Sequence, residues 1–335
     1  MTEISTTDYH TGGEPFRIVT GGVPALEGRN VPERRRWAAA NIDHVRQLLV
    51  NEPRGHADMY GGFVTPPDDA GADLGVVFFH NEGYSTACGH GTIALVTWAI
   101  DSGRVAVDPG AREGGVTVDV PSGRLACTAR LDGRGRVDAV AFRNVPSFVL
   151  ARDVEVATAH GPLSLDVAFG GAFYGSMDVR AIGLHVEPRA LPELIALQRE
   201  LRPALERALD VVHPEQPDLA GIYGVIFWEA IDGEPHAQRN ITVFADGEVD
   251  RSPCGSGTSA RLAILNDRGE IGIGETLRHR SIVDSVFDAR VIAAGPPVGP
   301  HASVITEVEG SAYRTGQHTF TLDDRDPLGT GFLLR

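Results

Sequence analysis

Two cysteines in this chain stand in nearly the same frame. Residues 88–94 read Cys-Gly-His-Gly-Thr-Ile-Ala and residues 254–260 read Cys-Gly-Ser-Gly-Thr-Ser-Ala, with five of seven positions identical and 166 residues between the copies. Each cysteine ends a polar loop and precedes helix-like sequence. A thiol at such a junction sits beside unpaired backbone N–H groups and the positive end of the helix dipole. Both are expected to lower its pKa from about 8.5 toward neutrality. The flanking glycines let backbone N–H groups approach a ligand closely, and a carboxylate docks readily on a helix start. Each frame therefore predicts half a site, an acid/base thiol with an anion cradle. Two halves facing one another can do what one cannot. Inverting a carbon centre by proton transfer needs a base on one face and an acid on the other, one thiolate and one thiol. The two would titrate as a coupled pair, with pKa values suited to working pH. Backbone N–H groups would stabilise the charge that grows on a substrate carboxylate as the α-proton leaves. The expected chemistry is a cofactor-independent racemase or epimerase of a small α-amino acid.

Rival readings of the same residues fare less well. Gly89-x-Gly91-x-x-Ala94 and Gly255-x-Gly257-x-x-Ala260 match a dinucleotide fingerprint. In a Rossmann unit, however, the glycines follow the strand at once, and here a mainly polar loop intervenes. A cysteine hydrolase uses one nucleophile with a His base, which leaves the second cysteine unexplained. A non-catalytic binding module would tolerate loss of either thiol, and this sequence retains both. The third cysteine, Cys127, lies in a strand-like run and reads as a small buried hydrophobe.

Composition removes further classes. There is no lysine, and all 30 basic residues are Arg. That excludes a pyridoxal-phosphate Schiff base, a Walker A loop and a lysine nucleophile. Three cysteines without CxxC spacing disfavour a zinc site and suit a reducing cytoplasm. A net charge of −15 argues against nucleic acid and against an anionic membrane surface. No apolar run approaches the ~18 residues of a membrane span. The first residues, MTEISTTDYHTGGEPF, show neither a basic nor an apolar signal region, so a cytoplasmic location is expected.

The elements that must position the cysteines can be read on either side of them. At 335 residues the chain has room for about two domains. The repeat extends upstream, with Val77-Phe78 matching Val243-Phe244, Glu82 matching Glu248, and Asp8…Gly12-Gly13 matching Asp166…Gly170-Gly171. Two related domains are predicted, residues 1–147 (with a C-terminal segment, 317–335) carrying Cys88 and residues 148–316 carrying Cys254. Pro146 is the candidate crossover. Leu74–His80 and Asn240–Phe244 read as strands. Thr92–Ser102 and Thr258–Asn266 read as helices ended by Gly103 and Gly269, the first apolar nearly all round and hence buried at a domain centre. Val116–Val120 and Leu125–Arg130 read as a strand pair. Pro32–Val50 reads as one helix. Leu191–Leu209 reads as another, with Leu194, Leu197, Leu201 and Leu205 on its core face and Pro203 expected to kink or divide it.

The motifs resemble the proline racemase family. The blocks that carry the resemblance are Asp8-Tyr-His-Thr-Gly-Gly-Glu14, Asn81–Gly91, Asp166–Tyr174, Asp250–Arg261 and the tail from Asp326, so it runs over nearly the whole chain. It implies an α/β fold like that of diaminopimelate epimerase, with two pseudo-symmetric halves, each wrapping strands around a central helix. It makes Cys88 and Cys254 the acid/base pair, assigns substrate binding to Gly89, His90, Gly255 and Ser256, and sets Asp250 against the substrate ring nitrogen. His10, Tyr60, Phe169 and Tyr223 are weaker candidates with packing roles as the rival reading. No metal or cofactor is implied, the partner is a small-molecule substrate, and a homodimer is common in such folds. Members include proline racemases, 4-hydroxyproline 2-epimerases and trans-3-hydroxy-L-proline dehydratases. Typical dehydratases in the branch this sequence otherwise looks like have Thr at the second cysteine, so Cys254 favours inversion of proline or a hydroxyproline. Asp58-Met-Tyr-Gly-Gly62 and Gly221-Ile-Tyr-Gly224 look closer to that dehydratase branch, and the His that many 4-hydroxyproline epimerases have near Tyr223 is missing. Dehydration of trans-3-hydroxy-L-proline is therefore the alternative. A nicotinamide-dependent oxidoreductase or a binding module is more distant.

Overall fold

The computed structural model describes residues 2–334. The chain forms two compact units, residues 1–142 with 311–335 and residues 143–310. These breaks fall a few residues before Ser147 and Gly316, and Pro146 lies inside the second unit.

The first unit begins with strands β1 (Thr2–Thr11) and β2 (Glu14–Gly21), helices α1 (Val31–Asn41) and α2 (Asp43–Val50), and strands β3 (Tyr60–Thr65), β4 (Leu74–His80) and β5 (Gly83–Tyr84). Helix α3 (Gly89–Asp101) and strands β6 (Glu113–Val120), β7 (Gly123–Leu131) and β8 (Val137–Arg143) follow. The second unit contains β9 (Ser147–Thr158), β10 (Gly161–Phe169), β11 (Phe173–Asp178), α4 (Leu191–Ala208), β12 (Ile222–Ala230), β13 (Ala237–Phe244), β14 (Glu248–Asp250), α5 (Gly255–Asp267), β15 (Thr276–Ser281), β16 (Val286–Ala294) and β17 (Ser303–Gly310). The last strand, β18 (Ala312–Leu322), returns to the first unit and pairs antiparallel with β1.

Both units follow one plan. In the first, the sheet order is β18-β1-β2-β3-β4-β6-β7, antiparallel except at β2/β3 and β4/β6. In the second it is β9-β10-β11-β12-β13-β15-β16, antiparallel except at β11/β12 and β13/β15. A parallel neighbour needs a crossover. Helices α1 and α2 supply it between β2 and β3, and α4 does so between β11 and β12. The second parallel step is bridged in each unit by the helix that follows a cysteine, α3 or α5. In the second unit β17 pairs with both β16 and β9, closing the sheet on itself.

The buried helices follow from their sequences. Helix α3 packs against β1, β2, β3, β7 and β18, and its residues from Gly89 to Ala99 are all buried. Helix α5 packs against β9, β10, β11, β16 and β17, and it is buried from Gly255 to Leu265. Helix α3 is apolar nearly all round and is buried on every side, whereas α5 buries Ser256, Thr258, Ser259 and Arg261 with hydrogen-bond partners in Tyr174, His279, the Gly255 carbonyl and Gln238. Strand β4, LGVVFFH, is buried on both faces. Val77 and Phe79 pack with Val45, Leu48 and Leu49, while Phe78 meets the ring of Phe16. Gly103 and Gly269 end α3 and α5 at φ +72° and +71°, where a Cβ would be strained.

Two expectations need correction. The stretch 32–50 is two helices broken at Ile42 (φ −130°) rather than one. The Asp43 carboxylate takes hydrogen bonds from Arg46 and Gln47 and starts a new turn, which lets Ile42 join the cluster with Val45 and Leu49. Helix α4 is not divided at Pro203. That residue is exposed, so the carbonyl it leaves without a partner can meet water. The four leucines of its core face are buried as expected.

Candidate active site

Cys88 is the N-cap of α3, in extended conformation (φ −155°, ψ 97°). The Gly91 N–H donates to its Sγ at 3.3 Å, and the ring nitrogens of His90 lie 3.5 and 3.6 Å from the sulfur. A Cβ on Gly91 would lie 2.6 Å from Sγ and 2.5 Å from the Phe16 ring, so the glycine is what allows the sulfur to fold back over the helix start. His90 is buried, and Phe16 and Tyr60 meet its ring edge-on at centroid distances of 5.9 and 5.0 Å. Its carbonyl accepts from the Thr11 hydroxyl at 2.9 Å, which ties α3 to β1. The Thr92 hydroxyl donates to the Cys88 carbonyl at 2.8 Å.

Cys254 stands at the N-cap of α5, but with φ +62° and ψ 103°, a region that non-glycine residues rarely occupy. The next residues hold it there. The Thr258 N–H donates to the Cys254 carbonyl at 2.7 Å, while the Thr258 hydroxyl reaches the Pro253 carbonyl at 3.0 Å. His279, fully buried on β15, lies 2.8 Å from that hydroxyl through Nδ1. Because the hydroxyl already donates to Pro253, the proton of this contact sits on Nδ1. Burial lowers the His279 pKa to about 3, so the ring stays neutral.

Electrostatics separate the second cysteine from the expectation. Burial pushes the Cys254 thiol up to about 12, and the neighbouring Asp250 carboxylate adds to the rise. Hydrogen bonds from the Gly257 N–H, Thr242 and Tyr174 pull the other way without prevailing. The expected fall toward neutrality is overturned at Cys254, because desolvation outweighs the helix end. Asp250, on β14, is pushed by burial to about 6, although its carboxylate accepts the Ser252 N–H at 2.8 Å. The Ser252 hydroxyl in turn accepts the Cys254 N–H at 3.1 Å. The second half therefore presents a neutral thiol beside a carboxylate that can hold a proton. Cys127, on the buried face of β7, is raised by burial alone and is packing.

Within each unit the sequence-derived residues converge. Gly89 and His90 open α3 beside Cys88, and Gly255 and Ser256 open α5 beside Cys254. Asp250 belongs to the Cys254 group. Tyr60 reaches His90, and Tyr223 stacks on Phe244 at 5.2 Å and meets Tyr174 edge-on at 5.8 Å. His10 accepts the Gly13 N–H and packs on Tyr313. Phe169 belongs to an aromatic group with Phe148, Phe173 and His213. Sequence reasoning missed Tyr174, whose hydroxyl lies 2.7 Å from Ser256 Oγ and 3.9 Å from Cys254 Sγ. It also missed the Thr258–His279 pair. The signal for His279 was its place among Leu277 and Ser281 on the buried face of an alternating strand.

The proline racemase family model matches residues 6–333. A trans-3-hydroxy-L-proline dehydratase of Burkholderia cenocepacia is 47% identical over 99% of this chain and 98% of its own. A 3-hydroxyproline 2-epimerase of Burkholderia multivorans is 46% identical over the same shares. The crystal structure of a hydroxyproline epimerase from Agrobacterium vitis, with bound trans-4-hydroxy-L-proline, superposes with a TM-score of 0.92 at 32% identity, covering 99% of this chain and 96% of that one.

Proposed function

The chain belongs to the proline racemase family, and from that premise we propose that it dehydrates trans-3-hydroxy-L-proline, with Cys88 as base and Cys254 as acid. What carries the choice is the inequality of the two thiols. An epimerase that runs both ways uses its two groups interchangeably, each in turn base and acid. Both sulfurs are buried and each has the N–H of a glycine three residues on, but Cys88 lies beside an imidazole, whereas Cys254 lies beside a phenol and a carboxylate and burial holds its thiol up. That inequality suits a one-way elimination. The names of the similar Burkholderia proteins agree on a 3-hydroxyproline substrate.

In this reading the Cys88 thiolate takes the α-proton, stabilised before the reaction by Gly91 N–H and His90. The electron pair of the Cα–H bond becomes the second bond between Cα and C3. The C3–O bond breaks, the Cys254 thiol gives its proton to the departing hydroxide, and water leaves. The enamine tautomerises to a cyclic imine. Cys88 is then a thiol and Cys254 a thiolate, and exchange with solvent resets both. Asp250 pairs with the substrate ammonium, and the helix starts at Gly89–His90 and Gly255–Ser256 hold the carboxylate.

A second reading, 2-epimerisation of a 3-hydroxyproline, is favoured by one observation, the presence of sulfur at both helix caps. Incubation with trans-3-hydroxy-L-proline in D₂O, followed by NMR, separates the two. A pyrroline carboxylate is expected. Accumulation of a 2-epimer deuterated at Cα would replace dehydration by inversion, and absence of both product and exchange would end both readings.

A further inference from the structure

Tyr174 is the largest fully buried side chain among the described residues. Its hydroxyl lies 2.7 Å from Ser256 Oγ and 3.9 Å from Cys254 Sγ, and Ser256 Oγ is itself 3.9 Å from that sulfur. Three groups that can each give and take a hydrogen bond thus form a closed triangle. The ring is clamped, meeting Tyr223 edge-on and packing with Ile226, Ala260 and Ile264. The hydroxyl cannot swing away to another partner.

We propose that Tyr174 is a positioning residue that couples the groups of the second half-site, so that the direction in which Ser256 points its hydroxyl follows the protonation state of Cys254. While Cys254 is a thiol, its S–H points to the Tyr174 oxygen, the phenol donates to Ser256 Oγ, and the Ser256 O–H is left free to donate to a bound ligand. Once Cys254 has given up its proton, the sulfur becomes an acceptor. The phenol turns its O–H to the sulfur, and Ser256 loses that donor. Loss of the acid proton and loosening of the substrate-binding hydroxyl are then one event, which links the chemical step to release. No covalent bond changes in Tyr174. Burial holds its own ionisation well above the ordinary tyrosine range, so it keeps its proton throughout.

The proposal rests on Cys254 being the acid, but its test does not depend on turnover. In a Cys88→Ser/Cys127→Ser background Cys254 is the sole thiol, and the rate of its alkylation by iodoacetamide at a fixed pH of about 9 reports its thiolate fraction without substrate. The groups that face it are Asp250 from β14, with Arg251 beside that carboxylate, Thr242 from β13 and Tyr174 from β11, with Tyr223 from β12 against Tyr174. All but Tyr174 stay in place in the comparison. Tyr174→Phe keeps the ring and removes the hydrogen bond that helps the thiolate, so the alkylation rate at that pH should fall about tenfold. A fluorinated tyrosine at 174 keeps the ring and is a stronger donor, so the rate should rise. An unchanged rate in either variant, with the thermal unfolding of the parent, overturns the proposal. Failure of the dehydratase reading would appear separately, as the wrong product or none in D₂O.

Discussion

Shift the residue numbers of α3 by 166 and they become those of α5, yet the two cysteines that cap these helices are held in different ways. Around Cys88 the backbone is relaxed, the sulfur folds over Gly91, and an imidazole lies 3.5 Å from it. Around Cys254 the backbone has positive φ, the sulfur sits among a carboxylate and a phenol, and burial keeps the thiol protonated. The threonine four residues on records the divergence. Thr92 bonds the carbonyl of its cysteine, whereas Thr258 bonds the carbonyl one residue earlier. The two helix starts share one sequence frame, and they differ in a single peptide unit and in their neighbours; in the proposed dehydration that difference suits one to take a proton and the other to give it.

The largest effect should come from exchanging sulfur for oxygen in each half. Cys88→Ser should lower turnover of trans-3-hydroxy-L-proline by about 10³–10⁴-fold and stop Cα–H exchange in D₂O, because the base is gone. Cys254→Ser should cost about 10²-fold in product while leaving measurable exchange, because only the acid is weakened. NMR time courses read both. Equal losses of exchange in the two variants would make the halves equivalent and return the enzyme to two-way inversion.

After the shift of 166 the position of Asp250 falls on Tyr84 in the first half, and Asp250 should give the second half a pH signature. With its pKa raised to about 6, the carboxylate takes up a proton as the pH falls through 6 and can no longer pair with a substrate ammonium. KM should therefore rise up to tenfold per unit below pH 6, and Asp250→Asn should raise KM by about 10–100-fold and flatten that dependence. Stability should move in the opposite direction. Between about pH 4 and 6 the folded state binds this proton more tightly than the unfolded chain does, so ionisation costs the fold up to about 3 kcal/mol, and acidification through that window removes the cost. A KM independent of pH from 5 to 8 in the parent would take Asp250 out of the binding site.

How much of this was legible in the sequence follows the physics of each feature. The strand Leu74–His80 and the glycine stops at Gly103 and Gly269 are local, written in periodicity and in backbone freedom, and could be read directly, whereas the two central helices begin at Gly89 and Gly255, three residues before the expected Thr92 and Thr258. The family fold came from blocks spread over the chain. The sign of the Cys254 shift could not be read, because a dipole argument sees only the helix and not the burial and carboxylate brought from β14. Tyr174 lay inside a recognised block, but its role depends on β11 lying beside the first turn of α5. The break at Ile42 and the unbroken helix at Pro203 were decided by packing and exposure, which override propensity.

The smallest effect tests the backbone difference alone. At Cys254 a positive φ costs a residue with a Cβ about 1 kcal/mol or more, and glycine escapes that cost. Cys254→Gly should therefore be at least as stable as Cys254→Ala, by about 1 kcal/mol in urea unfolding. At Cys88 the extended conformation suits any residue, so glycine keeps only the advantage over alanine that every helix N-cap gives it, reduced by its larger entropy loss on folding. Cys88→Gly and Cys88→Ala should therefore differ by less than about 0.5 kcal/mol. Comparing glycine with alanine at each position cancels the lost sulfur contacts, which neither residue can make, and the N-cap preference common to both. A glycine advantage at Cys254 larger than that at Cys88 by about 1 kcal/mol would locate the divergence in the peptide unit before Cys254. Equal differences at the two positions would mean that the conformation at Cys254 carries no strain.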